Sequence, residues 1–310
     1  MPAGLRDATV TRDAGMKNQL VAKFTLLVSS CLFAGTQAAA TDTNPGTAAQ
    51  TLTPDPALAK VVADPSRSAK YVARDRYRHP AEELTFFGLK PNMTVLEVWP
   101  GGGYWTEILG PYLRGSGHYY AAVPVKGESK EEDATTARWQ TQLQQQKDRY
   151  GTITFTGLGK GHYDVAPAGS VDLIVTFRNF HNWMDGGYAD EALKGLYSAL
   201  KPGGVLGIED HRGRNDQPQD PQAKSGYVRQ DYMIKAARRA GFEFVGASEI
   251  NANPKDTKDY PQGVWTLPPT LTLGDKDREK YLAIGESDNY VLKFRKPYQV
   301  VVPPEINRVQ

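Results

Sequence analysis

The residue types best suited to chemistry are concentrated in three short runs. Thr176-Phe-Arg-Asn-Phe-His-Asn-Trp183 sets a guanidinium, two amides, an imidazole and three aromatic rings side by side. Glu209-Asp-His-Arg212 sets two carboxyl groups beside an imidazole and a guanidinium. Imidazole exchanges protons near neutral pH, and guanidinium binds anions through a rigid fork of donors. The third run, Glu97-Val-Trp-Pro-Gly-Gly-Gly-Tyr104, bends where glycines let backbone approach a ligand closely. From these runs we expect His181, His211 and Arg212 to face a reacting substrate, with Arg178 and Asn179 positioning ligand. Tyr77, Arg78 and His79 are expected to fold over the same place. The competing readings are structural: a His181 ring satisfied by loop backbone, and a salt-bridged loop at 209–212.

Other chemistries lack their residues. The five histidines show no tight pair of the H-E-x-x-H kind, so no metal is expected, although His79, His181 and His211 could converge on Asp210. No G-x-S-x-G elbow is present, which argues against a serine hydrolase. The one cysteine, Cys31, excludes an internal disulfide. The net charge of +2 comes entirely from the first forty residues, where four basic side chains meet two acidic ones. The remainder of the chain is neutral, so nucleic acid is not an expected partner.

The elements that must position these runs alternate along the chain. Apolar, β-branched stretches at 94–99, 118–123, 153–156, 171–177 and 205–209 read as strands, the fourth as one buried on both faces. Helical patterns lie between them at 104–114, 128–150 and 188–200, and another comes later at 226–240. Pro80 and Gly88 bracket a further helix at their preferred ends. Segments 242–250 and 289–294 complete the set as two last strands. The expectation is an α/β fold, a doubly wound, mostly parallel seven-stranded sheet with helices on both faces. Ligands of such sheets bind beyond the C-terminal strand ends. The insert 251–288, with four prolines, is long enough to act as a lid or wall. The polar helix at 128–150 is expected to be a solvated cover.

Several of these segments resemble, in order, the class I S-adenosylmethionine-dependent methyltransferases, over about residues 75–296. They are Gly88-Leu-Lys-Pro-Asn-Met-Thr-Val-Leu96, Glu97-x-Trp99-x-Gly101-x-Gly103, Gly169-Ser-Val-Asp-Leu-Ile-Val175 and Leu200-Lys-Pro-Gly-Gly-Val205. A dinucleotide fingerprint fits less well, since Thr106 stands where its third glycine belongs. VLEVWPGGGYWTEIL, TFRNFHNW, His211-Arg212 and LPPTLTLGDKDREKYLAIGESD are similar to a group of predicted, exported bacterial methyltransferases. The resemblance implies S-adenosylmethionine as cofactor and a small molecule as methyl acceptor. It implies that Glu97, Trp99, Gly101, Gly102, Gly103, Tyr104, Arg178 and Asn179 hold the cofactor, and that His181, His211 and Arg212 serve the acceptor. Trp99 replaces the family's first glycine, and the second strand ends Ala121-Ala-Val-Pro124 without the family's ribose-binding carboxylate. A repurposed or non-catalytic ligand-binding protein of the cell envelope is the alternative.

The N-terminus reads as an address. Lys17 and Lys23 precede the apolar stretch Phe24–Ala34, and Ala38 and Ala40 offer a small-x-small cleavage pattern. The expected localisation is exported, periplasmic or secreted. Val28-Ser-Ser-Cys31 resembles a lipobox, which makes a lipid anchor at Cys31 the second possibility. The expected divisions are a signal and upstream extension at 1–40, a tether and helical segment at 41–75, a methyltransferase-like domain at 76–296 and a tail at 297–310.

Overall fold

The computed structural model describes residues 53–125 and 130–298. The signal segment, Cys31, most of the tether and the residues after 298 lie outside them. Strands β1 (Thr94–Val98), β2 (His118–Pro124), β3 (Ile153–Leu158), β4 (Val171–Phe177), β5 (Leu200–His211), β6 (Glu243–Ser248) and β7 (Asn289–Arg295) form one sheet in the order 3-2-1-4-5-7-6. The first five pair in parallel, and β7 runs antiparallel between β5 and β6. This is the doubly wound, mostly parallel seven-stranded sheet expected. Val95, Leu96, Leu173, Ile174 and Val175 are all buried, because helices cover both faces of the central strands.

The two faces hold separate apolar layers. One gathers Leu96, Ile174, Leu206 and Ile208 against Trp183, Leu193 and Met233. The other gathers Val95, Leu173 and Val175 against Phe87, Ile108 and Leu109. The helix Pro56–Val62 belongs to the second layer through Leu58, which is fully buried. The short helices Ala69–Val72 and Asp75–Arg78 come next, and Tyr71 packs into the same layer. The expected boundary at 76 therefore cuts through a packed unit: a 7-residue amphipathic helix is stable only when its apolar side is covered. Lys130–Gln145 forms the polar helix; it turns Leu143 inward and sets Trp139 against Phe155 of β3, so it does more than cover the surface.

Register decides what meets at the sheet's functional edge. Val98 lies beside Thr176, and Thr176 beside Ile208, so β1, β4 and β5 end together. Antiparallel pairing sets Asp210 opposite Tyr290 and His211 opposite Asn289. Among the described residues, no helix is long and apolar enough to cross a membrane.

Gly207 in β5 lets Phe87 of helix Pro80–Phe87 pack directly on the sheet. A Cβ there would stand 2.6 Å from the Phe87 ring, whose own position is fully buried. Gly207→Ala is expected to lower unfolding free energy by about 1–3 kcal/mol through overpacking, measured by denaturant titration. An unchanged midpoint would show that the helix can retreat at no cost.

Candidate functional site

A cavity of ≈ 360 Å³ opens over the C-terminal ends of β1, β4 and β5. Its floor is the turn Trp99–Gly102 and the loop Phe177–Asn179. One wall comes from the N-terminal helices through Tyr71, Arg74 and Arg78. The opposite wall comes from the insert through Trp265, Pro268 and Pro269, which matches the role expected of that loop.

His181 and His211 both line the cavity and are held from behind. The carboxylate of Asp210, fully buried, accepts from the His181 ring at Nδ1 (2.9 Å) and from the His181 backbone N–H (3.1 Å). It also accepts from the His211 backbone N–H at 2.8 Å. Burial works to raise the Asp210 carboxyl, but the charge and hydrogen bond of His181 outweigh it and hold the group below the usual carboxylate range. With Nδ1 donating to Asp210, the His181 ring keeps Nε2 as its basic nitrogen, a tautomer assigned from this network. His211 Nδ1 lies 2.9 Å from Asn289 Oδ1 and 2.7 Å from Ser287 Oγ. Burial pushes the His211 imidazole down to about 3, so it is neutral at physiological pH. Donor atoms of His181, Asp210 and His211 lie within 4.8 Å of one another, but both Asp210 oxygens already accept these N–H groups. His79 is not among them: it lies on Asn251 Oδ1 at 3.0 Å, and Asn251 in turn donates to Glu83 and Glu209.

Glu97, at the end of β1, is 1 % exposed. Its Oε2 accepts from Thr106 at 2.9 Å and from the Tyr119 hydroxyl, while its Oε1 is buried without a partner. Burial raises this carboxyl to about 7. The turn after it is left-handed at Trp99 (φ 52°), Gly101 (φ 57°) and Gly103 (φ 92°). Tryptophan suffers a steric penalty in that region and is held there by two bonds, its N–H to Ala122 O (2.7 Å) and its indole Nε1 to Leu158 O (3.0 Å). The hollow over the turn is open at Gly101, where an added Cβ would meet nothing within 4 Å. Elsewhere it is covered by the chain itself. The Tyr71 hydroxyl donates to Gly102 O, and a Cβ at Gly103 would lie 2.8 Å from the indole nitrogen of Trp139. Gly103, expected at the cofactor, does not line the cavity.

Tyr104 lines the cavity with its ring and donates its hydroxyl to Asp75 at 2.6 Å. Asn179 also lines it, but its amide nitrogen is engaged by Val98 O (3.0 Å) and Thr176 Oγ1 (3.1 Å), a tie between the ends of β1 and β4. Arg178 (φ 60°) donates to Glu286 at 2.7 Å and stands 3.8 Å from Glu209. Arg212, expected at the substrate, is elsewhere: it pairs with Glu249 (2.5 Å) and Asp288 (3.3 Å) and does not line the cavity. The reason is strand alternation, which turns the residue after His211 to the other side. Tyr77 packs at Gly285 instead of the cavity. Sequence reasoning missed Tyr71, Arg74, Trp139, Trp265 and Glu286. Arg74 and Arg78 do share a helical i, i+4 spacing that puts them on one face, and this spacing was the available signal.

No family model matches the chain, and no curated protein matches it. Among solved structures the chain is similar to a SAM-dependent methyltransferase from Aquifex aeolicus, at 18% identity and a TM-score of 0.48, over 77% of this chain and 98% of that one. It is similar to the cyclase SpnF at 17% identity and a TM-score of 0.49, over 76% and 86%. An arsenic(III) S-adenosylmethionine methyltransferase from Chlamydomonas reinhardtii gives 16% identity and a TM-score of 0.46, over 82% and 76%. Likeness at such identities concerns the fold alone.

The raised Glu97 carboxyl makes stability depend on pH with a definite sign. A folded-state value above the unfolded one favours folding fully at low pH, and this contribution is lost as pH rises through about 7. Glu209, also raised to about 7 by burial, acts in the same direction. His211, lowered to about 3 from 6.5, acts in the opposite direction below about 6.5, so the carboxyl is read by difference: between pH 5 and 8 the melting temperature of Glu97→Gln is expected to fall less, or rise more, than that of the wild type. An identical pH profile in the variant would refute the assignment to Glu97.

Proposed function

We propose that the protein transfers a methyl group from S-adenosylmethionine to a small-molecule acceptor. One observation carries this reading. A single cavity at the C-terminal strand ends combines an open glycine turn, an unpartnered carboxylate oxygen and an imidazole oriented by a buried aspartate. The residues fit the amino-acid end of such a cofactor. Glu97 Oε1 is an acceptor for its ammonium group, and Gly101 leaves room for its backbone to pass. Trp99, which stands where the resembled family has a glycine, lines the cavity.

The bound cofactor supplies an electrophilic methyl group on sulfur, and the chain's own share is alignment and proton removal. Arg178 and Asn179 line the floor beside the reacting groups. His181 takes the acceptor's proton on Nε2, and Asp210 stabilises the imidazolium that results. His211, neutral and anchored by Asn289, lines the same cavity. The resemblance of residues 16–40 to a signal segment supports export. Sequencing the mature N-terminus from its host tests this: a start near Thr41 or a lipidated Cys31 agrees, and an intact Met16 start refutes it.

A second reading, a binding protein without transfer, is favoured by a specific feature. No described residue of the loops that directly follow β2 and β3 lines the cavity, and Trp139 covers Gly103, where an adenosyl group would need space. Calorimetry separates the two. Under the transfer reading S-adenosylmethionine and S-adenosylhomocysteine both bind the mature chain, and Glu97→Ala weakens both by about tenfold or more, the loss of one charged hydrogen bond. Absence of binding at millimolar concentration overturns transfer, and copurified S-adenosylhomocysteine eliminates the second reading.

A further inference from the structure

Three arginines converge on one carboxylate beside the cavity. Glu286, 3 % exposed, accepts from Arg74 Nε at 2.6 Å, Arg78 Nε at 3.1 Å and Arg178 at 2.7 Å. Each arginine commits a single nitrogen to it. Among the described residues, both terminal nitrogens of Arg74 and of Arg78 have no hydrogen-bond partner, and both side chains line the cavity. The neighbouring acids do not neutralise the excess. Asp75 is taken by Arg67 at 2.7 Å. Glu209 stands 3.8 Å from Arg178 and is raised to about 7 by burial, so much of it is uncharged at neutral pH. Glu83, deeper still, is pushed well above the carboxylate range by burial and by Glu209. His211 is neutral. Partly buried guanidinium groups left unneutralised are costly, which makes an anion the missing partner.

The cluster is held rigidly. Arg78 lies 4.5 Å over the Tyr104 ring, and Tyr104 is fixed by Asp75. Arg178 holds a left-handed backbone and donates its N–H to Glu209 O at 2.7 Å. Aromatic and proline side chains line the same cavity as the arginines. Trp105 stacks on Phe177 at 3.8 Å with 14° between the rings, and Trp265 and Pro268 face them from the insert. Trp105 Nε1 is buried without a partner, a further donor for a bound group.

We infer that Arg74, Arg78 and Arg178 form an oxyanion subsite and that the acceptor is an organic anion, a carboxylate or phosphate on a flat apolar body. This names the acceptor class of the transfer reading and rests on that reading only for the word acceptor; the subsite itself does not depend on methyl transfer. The arginines fix the headgroup through charge-assisted bonds, the rings hold the body, and His181 lines the same cavity.

Benzoate, phenyl phosphate and the neutral isostere benzamide are the probes, measured by calorimetry on the mature chain. At least one anion is expected to bind, with benzamide at least about tenfold weaker than the tighter-binding anion. Arg74→Gln, at a partly exposed edge of the cluster, is expected to weaken the anions about tenfold while leaving S-adenosylhomocysteine within about twofold. Benzamide binding as tightly as the tighter-binding anion, or no binding of either anion at millimolar concentration, overturns the subsite. So does an Arg74→Gln protein that loses S-adenosylhomocysteine but keeps 5′-methylthioadenosine, because the arginines then hold the cofactor's own carboxylate. Failure of S-adenosylhomocysteine to bind the wild-type chain, with anions still bound, sinks methyl transfer and leaves the subsite intact.

Discussion

A carboxylate sealed from water must find its hydrogen bonds inside the protein, and Asp210 finds all of its own in two adjacent histidines. That constraint organises the site. The helix Phe180–Asp185 starts where its second residue, His181, can give Asp210 both its backbone and ring N–H groups. His211 is drawn in by the same carboxylate from the end of β5. Antiparallel β7 then completes the arrangement, because its first residue, Asn289, pairs in register with His211 and meets the ring. An Asp at the end of a buried strand therefore links β4, β5 and β7 at the edge where a ligand would lie.

Burial raises the carboxyls of Glu83, Glu97 and Glu209, the last two to about 7, so part of their charge is withdrawn at neutral pH. The arginines that line the cavity stay charged, because guanidinium does not give up its proton. A buried acid can escape desolvation by protonation and a buried arginine cannot, so the balance around Glu286 tilts toward positive. The segment 69–78, which the boundary expected at 76 would divide, supplies two of the three cations, Arg74 from a helix cap and Arg78 from a helix.

The glycine turn shows the limits of motif spacing. Glycines 101 and 103 adopt the left-handed backbone expected of a ligand cradle, and Gly101 is open. Trp99 adopts the same backbone without glycine's freedom, and Tyr71 and Trp139 reach back over the neighbouring positions. Tyr71 comes from 31 residues earlier in the chain and Trp139 from a helix after β2, so local sequence does not reveal either cover.

The sheet was legible because its signals are local. Apolar runs of strand length alternate with helical patterns, and each carries its own periodicity and its own glycine or proline punctuation. For the same reason the strand-end positions of Glu97, Arg178, His181 and His211 were legible, since a residue near a strand's C-terminus reaches the binding edge in any doubly wound sheet. The sequence alone therefore determined the architecture and the edge on which chemistry would be sought. Tertiary structure decided which side chains share a cavity there. It turned Arg212 away to Glu249 and Asp288, brought Arg74, Arg78 and Glu286 together across more than two hundred residues, and closed part of the glycine hollow with indole. Such pairings depend on strand register and on the packing of an insert and an N-terminal segment, and no periodicity in the chain encodes either.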